Sequence, residues 1–134
     1  MKSFDTNVVV RLVIDDDPAQ CERAARAFRE AVADGGVFFS AIVLVEVAWV
    51  LRYACKQDRA TIASALRNLI NASGVMVEHE AMVRRALAAY EVGSADFSDF
   101  IIRDSSREAG AIPVLTFDER FARNADVELV PGAR

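Results

Sequence analysis

Histidine and lysine are nearly missing from this chain: among 134 residues there is one histidine, His79, and the lysines are Lys2 and Lys56 alone. One histidine in a Glu78-His79-Glu80 loop cannot supply a His-based zinc site and leaves a Ser-His-Asp triad without an evident base; His79 reads as a surface residue. Cysteine is scarce too. Cys21 and Cys55 lack the paired spacing of a zinc site or a redox motif, and read as buried free thiols in a reducing compartment. Long hydrophobic runs are absent: the longest, from Val37 to Leu51, is interrupted by Ser40 and Glu46 and falls short of the about 20 residues of a membrane span. Met1-Lys2-Ser3-Phe4-Asp5 meets an acid at once, unlike a signal peptide. A soluble, cytoplasmic protein with no membrane partner is the expectation.

Excess positive charge is the last absence. Sixteen basic residues against twenty acidic ones give a formal charge of −4, whereas sequence-independent coating of nucleic acid is driven by neutralising phosphates. Any nucleic-acid contact must therefore be local. The basic residues are nearly all arginine, which suits bidentate phosphate or carboxylate contacts.

What is present is core material. Hydrophobic residues make up 53% and charged residues 27% of the chain, too apolar for disorder. At roughly 100–200 residues per domain, residues 1–134 are expected to form one domain with an ordered core of about 1–130. No repeat, low-complexity tract or linker interrupts it.

Short apolar runs alternate with helical periods. A first strand is expected over about Lys2 to Phe4, stopping at Asp5-Thr6-Asn7. Asp17-Pro18 then caps a helix carrying Cys21, Ala24, Ala25, Phe28 and Val32, which Gly35-Gly36 ends. Val37 to Phe39 is a second strand. Ser40 caps a long helix to about Lys56, apolar on almost every face as a buried helix is. Asp58 caps the next, with Ile62, Leu66, Leu69 and Ile70 in one stripe. Val75 to Val77 is a third strand. Met82, Val83, Ala86, Leu87 and Tyr90 line another helix. A helix from about Asp96 buries Phe97, Phe100, Ile101 and Ala109. Ile112 to Leu115 is a fourth strand, Glu119 to Arg123 a short helix, and Val127 to Val130 a fifth strand. Strands separated by helices predict an α/β domain with a central parallel five-stranded sheet flanked by helices on both faces.

Ligands of an open α/β sheet bind beyond the carboxyl ends of its strands, which directs attention to five acids. Asp5 follows the first strand and Asp118 the fourth. Asp99 lies in the first turn of the helix feeding the fourth strand, with Asp96 before it. Glu46 stands in Ile42-Val43-Leu44-Val45-Glu46-Val47-Ala48-Trp49-Val50-Leu51, where every neighbour is apolar. A carboxylate buried without a partner costs several kcal/mol, so it tends to bind a cation or accept hydrogen bonds. Each acid also has a plainer explanation: a solvent-facing edge or an Arg52 partner for Glu46, a turn or helix cap for Asp5 and Asp118, and the helix macrodipole for Asp96 and Asp99. Asp15-Asp16-Asp17 reads as a solvated loop ending in a cap. Clustered carboxylates repel, and a divalent cation relieves them; all-oxygen donors select Mg²⁺ or Mn²⁺. Such a site suggests phosphoryl chemistry. A receiver domain would want a lysine after its last strand, and a haloacid-dehalogenase-type phosphatase a second aspartate where Asn7 stands.

Phe4-Asp5-Thr6-Asn7, Glu46 followed by Ala48-Trp49-Val50-Leu51, Ala95-Asp96-Phe97-Ser98-Asp99 and Leu115-Thr116-Phe117-Asp118, in this order over nearly the whole chain, resemble the PIN domain, and more narrowly the VapC toxins of bacterial type II toxin–antitoxin pairs. The resemblance implies a Mg²⁺- or Mn²⁺-dependent endoribonuclease that hydrolyses RNA with cation-activated water, leaving a 5′-phosphate and a 3′-hydroxyl. It implies Asp5, Glu46 and Asp99 as the main metal-binding and catalytic acids, Asp118 as the fourth and more variable one, and Asp96 as an accessory. Thr6, Asn7, Ser98 and Thr116 would stand behind them or touch phosphate. Arg11, Arg52, Arg84 and Arg85 contact phosphates or simply sit on solvated helix faces. The implied partners are an RNA substrate, a cognate antitoxin that occludes the acidic pocket, and a second copy in a homodimer. The alternatives are a PIN-type RNA-processing nuclease outside toxin systems and a non-catalytic binding module of the same fold.

Overall fold

Four loops in the first half of the chain end in the same way, with a short polar side chain closing on an amide of the following helix. Asp5 Oδ1 accepts from the Val8 amide at 3.1 Å, Asp17 Oδ1 from Gln20 at 3.1 Å, Ser40 Oγ from Val43 at 3.3 Å and Asp58 Oδ1 from Thr61 at 2.8 Å. Each satisfies a donor that a helix start leaves without an intrahelical partner. The Thr61 amide and hydroxyl hold the Asp58 carboxyl below the usual aspartate range.

These caps start four helices of a computed structural model that describes residues 1–132. Its chain order is β1 (Lys2–Ser3), α1 (Thr6–Val13), α2 (Pro18–Ala33), β2 (Val37–Phe39), α3 (Ala41–Trp49, running into a wider π-helical turn at Val50–Ala54), α4 (Arg59–Asn71), β3 (Val75–Val77), α5 (Glu80–Val92), α6 (Phe97–Glu108), β4 (Val114–Thr116), a 3₁₀ turn at Phe121–Arg123 and β5 (Val127–Leu129). It falls into two compact units, Met1–Glu80 and Ala81–Arg134.

In the first unit β1, β2 and β3 form a parallel sheet in that order, with Lys2 opposite Val37 and Val37 opposite Val75. Val37 and Phe39 of β2 are fully buried, and Val9, Val10, Leu44, Val47, Leu51, Ile62 and Leu66 complete the core. Phe4 meets Phe28 of α2 edge to face at 6.2 Å. Gly74 enters β3 at φ +81°, and a Cβ there would lie 2.8 Å from Val32 Cγ1, so the turn into β3 is built for glycine.

In the second unit β4 and β5 pair in parallel, Val114 opposite Val127 and Thr116 opposite Leu129. Tyr90 of α5 meets Phe97 of α6 at 6.0 Å, and Phe100 meets Phe121 at 6.5 Å. All five apolar residues expected on α5 are buried.

Several expectations are corrected. The five strands exist and pair in parallel, but as sets of three and two rather than as one five-stranded sheet. Each set lies within one of the two units, and strands of two or three residues carry few ladder bonds. Helix α1, which Asp5 caps, fills a stretch to which the sequence reading assigns no element: Val8-Val9-Val10 are β-branched, but two of them are buried and tertiary packing overrides their weak helix propensity. Helix α3 is not covered on all sides; Ile42 is 66% and Trp49 59% exposed, and Tyr53 in the π-helical turn is exposed as well. Ala109 is exposed and caps α6 rather than packing beneath it, and β4 begins two residues later than expected.

Candidate metal centre

Asp5 and Glu46 belong to the first unit; Asp96, Asp99 and Asp118 belong to the second.

Asp5 sits where β1 gives way to α1, and its extended backbone turns one carboxylate oxygen onto the Val8 amide. Its other oxygen has no partner among the described residues. Thr6 and Asn7 are the first residues of α1, Thr6 half-buried and Asn7 exposed. Glu46 lies in the second turn of α3 and is exposed, without a hydrogen bond or ion pair among the described residues. Its apolar neighbours therefore do not bury it. They alternate between the core, through Leu44, Val47 and Ala48, and an open apolar face, through Ile42 and Trp49, and Glu46 stands on the open face. Arg52 lies 5.3 Å over the Tyr53 ring.

In the second unit Asp96 and Asp118 both act on Asp99. Asp96 and Asp99 form a reciprocal capping box at the start of α6, in which Asp99 Oδ2 accepts from the Asp96 amide at 3.2 Å. Ser98 stands between them, half-buried. Burial pushes the Asp99 carboxyl above the usual aspartate range, against the pull of the Asp96 amide, and the charges of Asp96 and Asp118 push the same way. Asp118 is fixed by its own loop: its amide donates to Thr116 Oγ1 at 3.0 Å, and its Oδ1 accepts from the Arg120 amide at 2.8 Å and the Phe121 amide at 3.3 Å. Capping and clustering thus coexist. Asp5, Asp99 and Asp118 each commit one carboxylate oxygen to backbone amides and keep the other without a partner among the described residues. In the second unit, the hard, fixed oxygens of Asp99 and Asp118, on carboxyls of which burial and like charge disfavour Asp99 as an anion, fit Mg²⁺ or Mn²⁺. No three His, Cys, Asp or Glu side chains are grouped closely enough to hold one ion among the described residues.

A family model of the PIN domain matches residues 3–127. The chain belongs to the PIN domain family. PIN domains are generally metal-dependent nucleases, and the match takes in both compact units and all five acids. No curated protein matches the chain.

Two carboxylates of this PIN domain escaped the sequence reading. Glu78 directly follows β3, the position that singled out Asp5 after β1, and its Oε1 accepts from the Ala41 amide at 2.9 Å, so it holds the start of α3 beside Ser40. Asp104 is the buried acid, 1% exposed. Its Oδ1 accepts from Arg103 Nε and from an Arg107 guanidinium nitrogen, each at 3.1 Å, and Arg107 Nε donates to Asp126 at 2.7 Å. Arg103, itself 8% exposed, lies 5.0 Å over the Phe100 ring. This paired network is structural; flanking arginines at adjacent and i+3 positions were its signal in the sequence. Cys21 and Cys55 are free thiols, half-buried rather than buried, since Cys21 lies at the α2 surface with its Sγ donating to Ile14 O at 3.0 Å. His79 is exposed, as expected. No helix among the described residues is long and apolar enough to cross a membrane.

Proposed function

We propose that this PIN domain is a Mg²⁺- or Mn²⁺-dependent endoribonuclease, the toxin of a VapBC-like type II toxin–antitoxin pair acting in the cytoplasm as one domain over residues 1–134. The observation that carries this reading is the position of Asp99, a carboxyl that burial disfavours as an anion and that the charges of Asp96 and Asp118 both reach, within a family match covering residues 3–127.

Asp5, Glu46, Asp99 and Asp118 hold the cation in this reading, with Asp96 supporting Asp99 through the capping box. Thr6, Asn7, Ser98 and Thr116 orient those acids or touch phosphate. A bound cation polarises the scissile phosphate and lowers the pKa of the attacking water. The water oxygen forms a new bond to phosphorus, the bond to the 3′ oxygen breaks, and that oxygen takes up a proton, giving a 5′-phosphate and a 3′-hydroxyl. The chain's part is positional. Backbone amides at Asp5, Asp99 and Asp118 fix each carboxylate before the cation arrives, and Glu46 is available to ligate it or orient the water. A cognate antitoxin restrains the toxin, and a second copy covers apolar surface such as that around Ile42 and Trp49.

The test is chelator-sensitive cleavage of total RNA by the purified chain with Mg²⁺ or Mn²⁺, beside the Asp5→Asn and Asp99→Asn variants. Cleavage at discrete sites is expected from the wild type and from neither variant. Retained cleavage in both variants would overturn the assignment of the acids. Growth arrest on expression in a bacterial host, lifted by Asp99→Asn, separates a toxin from an RNA-maturation nuclease.

A further inference from the structure

Where α1 packs against α2, the first unit carries an open groove of about 520 Å³. Its walls hold Asn7 and Arg11 from α1 and Gln20, Arg23, Arg26 and Glu30 from α2. Three arginines against one glutamate make it basic in a chain whose formal charge is −4. The arginines differ. Arg11 is tied down: its Nε donates to Gln20 Oε1 at 2.8 Å and its terminal nitrogen to Asp16 at 2.9 Å. Arg23 and Arg26 are exposed on consecutive turns of α2 and have no carboxylate partner among the described residues. A guanidinium with nothing to bind inside the fold is suited to an outside anion with planar oxygen geometry, and two in a row suit a repeating one.

One end of the groove lies beside Asp5. Val8, whose amide binds the Asp5 carboxylate, lines the groove together with Asn7. No aromatic side chain lines it, so it provides no platform on which bases could stack. Resting on the nuclease reading above, we propose that the α1–α2 groove is the track for the RNA backbone leaving the catalytic acids, with Arg23 and Arg26 each neutralising a phosphate. Contacts of this kind position a strand without reading its sequence.

The test uses the full chain carrying Asp99→Asn, which holds RNA without cutting it, with and without Arg23→Gln and Arg26→Gln together. Binding to a mixed-sequence single-stranded oligoribonucleotide is followed by fluorescence anisotropy across a salt series. Losing two phosphate contacts should reduce the slope of log affinity against log salt by about 1.4, so that between about 50 and 200 mM salt the affinity of the arginine-replaced protein falls about sevenfold less. The loss should be equal for oligonucleotides of different sequence. In the catalytically competent background, Arg23→Gln and Arg26→Gln together should raise KM and leave kcat unchanged. An unchanged slope, or a fall in kcat at constant KM, overturns the groove. If that outcome comes from a wild type that still cleaves RNA, the nuclease reading stands and the arginines serve a protein partner. If the Asp99→Asn chain does not bind RNA and the wild type does not cut it, groove and nuclease reading fall together.

Discussion

Replacing Asp99 by asparagine separates a helix cap from a metal ligand, because the two roles make opposite demands on stability. Burial and the charges of Asp96 and Asp118 disfavour the Asp99 carboxylate, while the Asp96 amide, 3.2 Å from Oδ2, favours it. Asparagine keeps an oxygen for that amide and carries no charge. Without metal at neutral pH, Asp99→Asn should therefore be at least as stable as the wild type. Asp99→Ala also loses the capping contact and should fall about 1 kcal/mol below Asp99→Asn, a Tm difference of roughly 3–5 °C for a chain this long. The pH dependence follows from the direction of the shift. The folded state holds the Asp99 proton more tightly than the unfolded state, whose value lies near 3.8, so acid favours folding through this group. Its penalty is complete above the folded value and gone below about 3.8, and the stability gap between Asp99→Asn and wild type should close over that interval. Urea unfolding at a series of pH values measures the gap, and Mg²⁺ should raise the Tm of the wild type but not of the variant. If Asp99→Asn is less stable than wild type by 1 kcal/mol or more at neutral pH, with a gap that does not respond to acid, Asp99 is a cap and holds no position for a cation.

Two further outcomes are expected. Glu46→Gln, at an exposed position without hydrogen bonds among the described residues, should leave stability within about 0.5 kcal/mol of wild type while cutting metal-dependent cleavage by about a hundredfold or more; full cleavage by a folded variant would remove Glu46 from the site. Asp104→Ala leaves the buried guanidinium of Arg103 without its partner and should cost about 3–5 kcal/mol in chemical denaturation; a loss under 1 kcal/mol would mean that Arg103 finds water or another acceptor.

Helix starts were legible in the sequence because they are local. Asp17-Pro18, Ser40 and Asp58 announce themselves within three residues of the amides they bind. Helix α1 was not legible, since three consecutive valines carry a β preference that only burial of Val9 and Val10 overrules. Strand pairing was half legible. Alternation with helices gave the parallel sense, but strands of two or three residues carry too little pattern to specify how many join one ladder. Glu46 shows the limit most clearly. The composition of α3 singled it out, while its exposure depends on which face the rest of the fold covers. The converse holds for Asp104, whose polar neighbours disguised the buried acid of the chain.

The plain and functional explanations of the acids, rivals in the sequence, converge in the structure. A carboxylate has two oxygens. At Asp5, Asp99 and Asp118 one of them is spent on backbone amides, which fixes the angle at which the other is presented. A free aspartate would have to surrender rotamer freedom on meeting a cation; one held by backbone amides has surrendered it on folding. If these acids hold a cation, as proposed, the backbone amides at the helix starts and at the Asp118 loop preorganise the ligands. Asparagine leaves the cap and weakens the ligand, and alanine removes both, so a metal-dependent activity lost equally in the two variants, with stability lost only in the second, is the signature of acids that do both jobs.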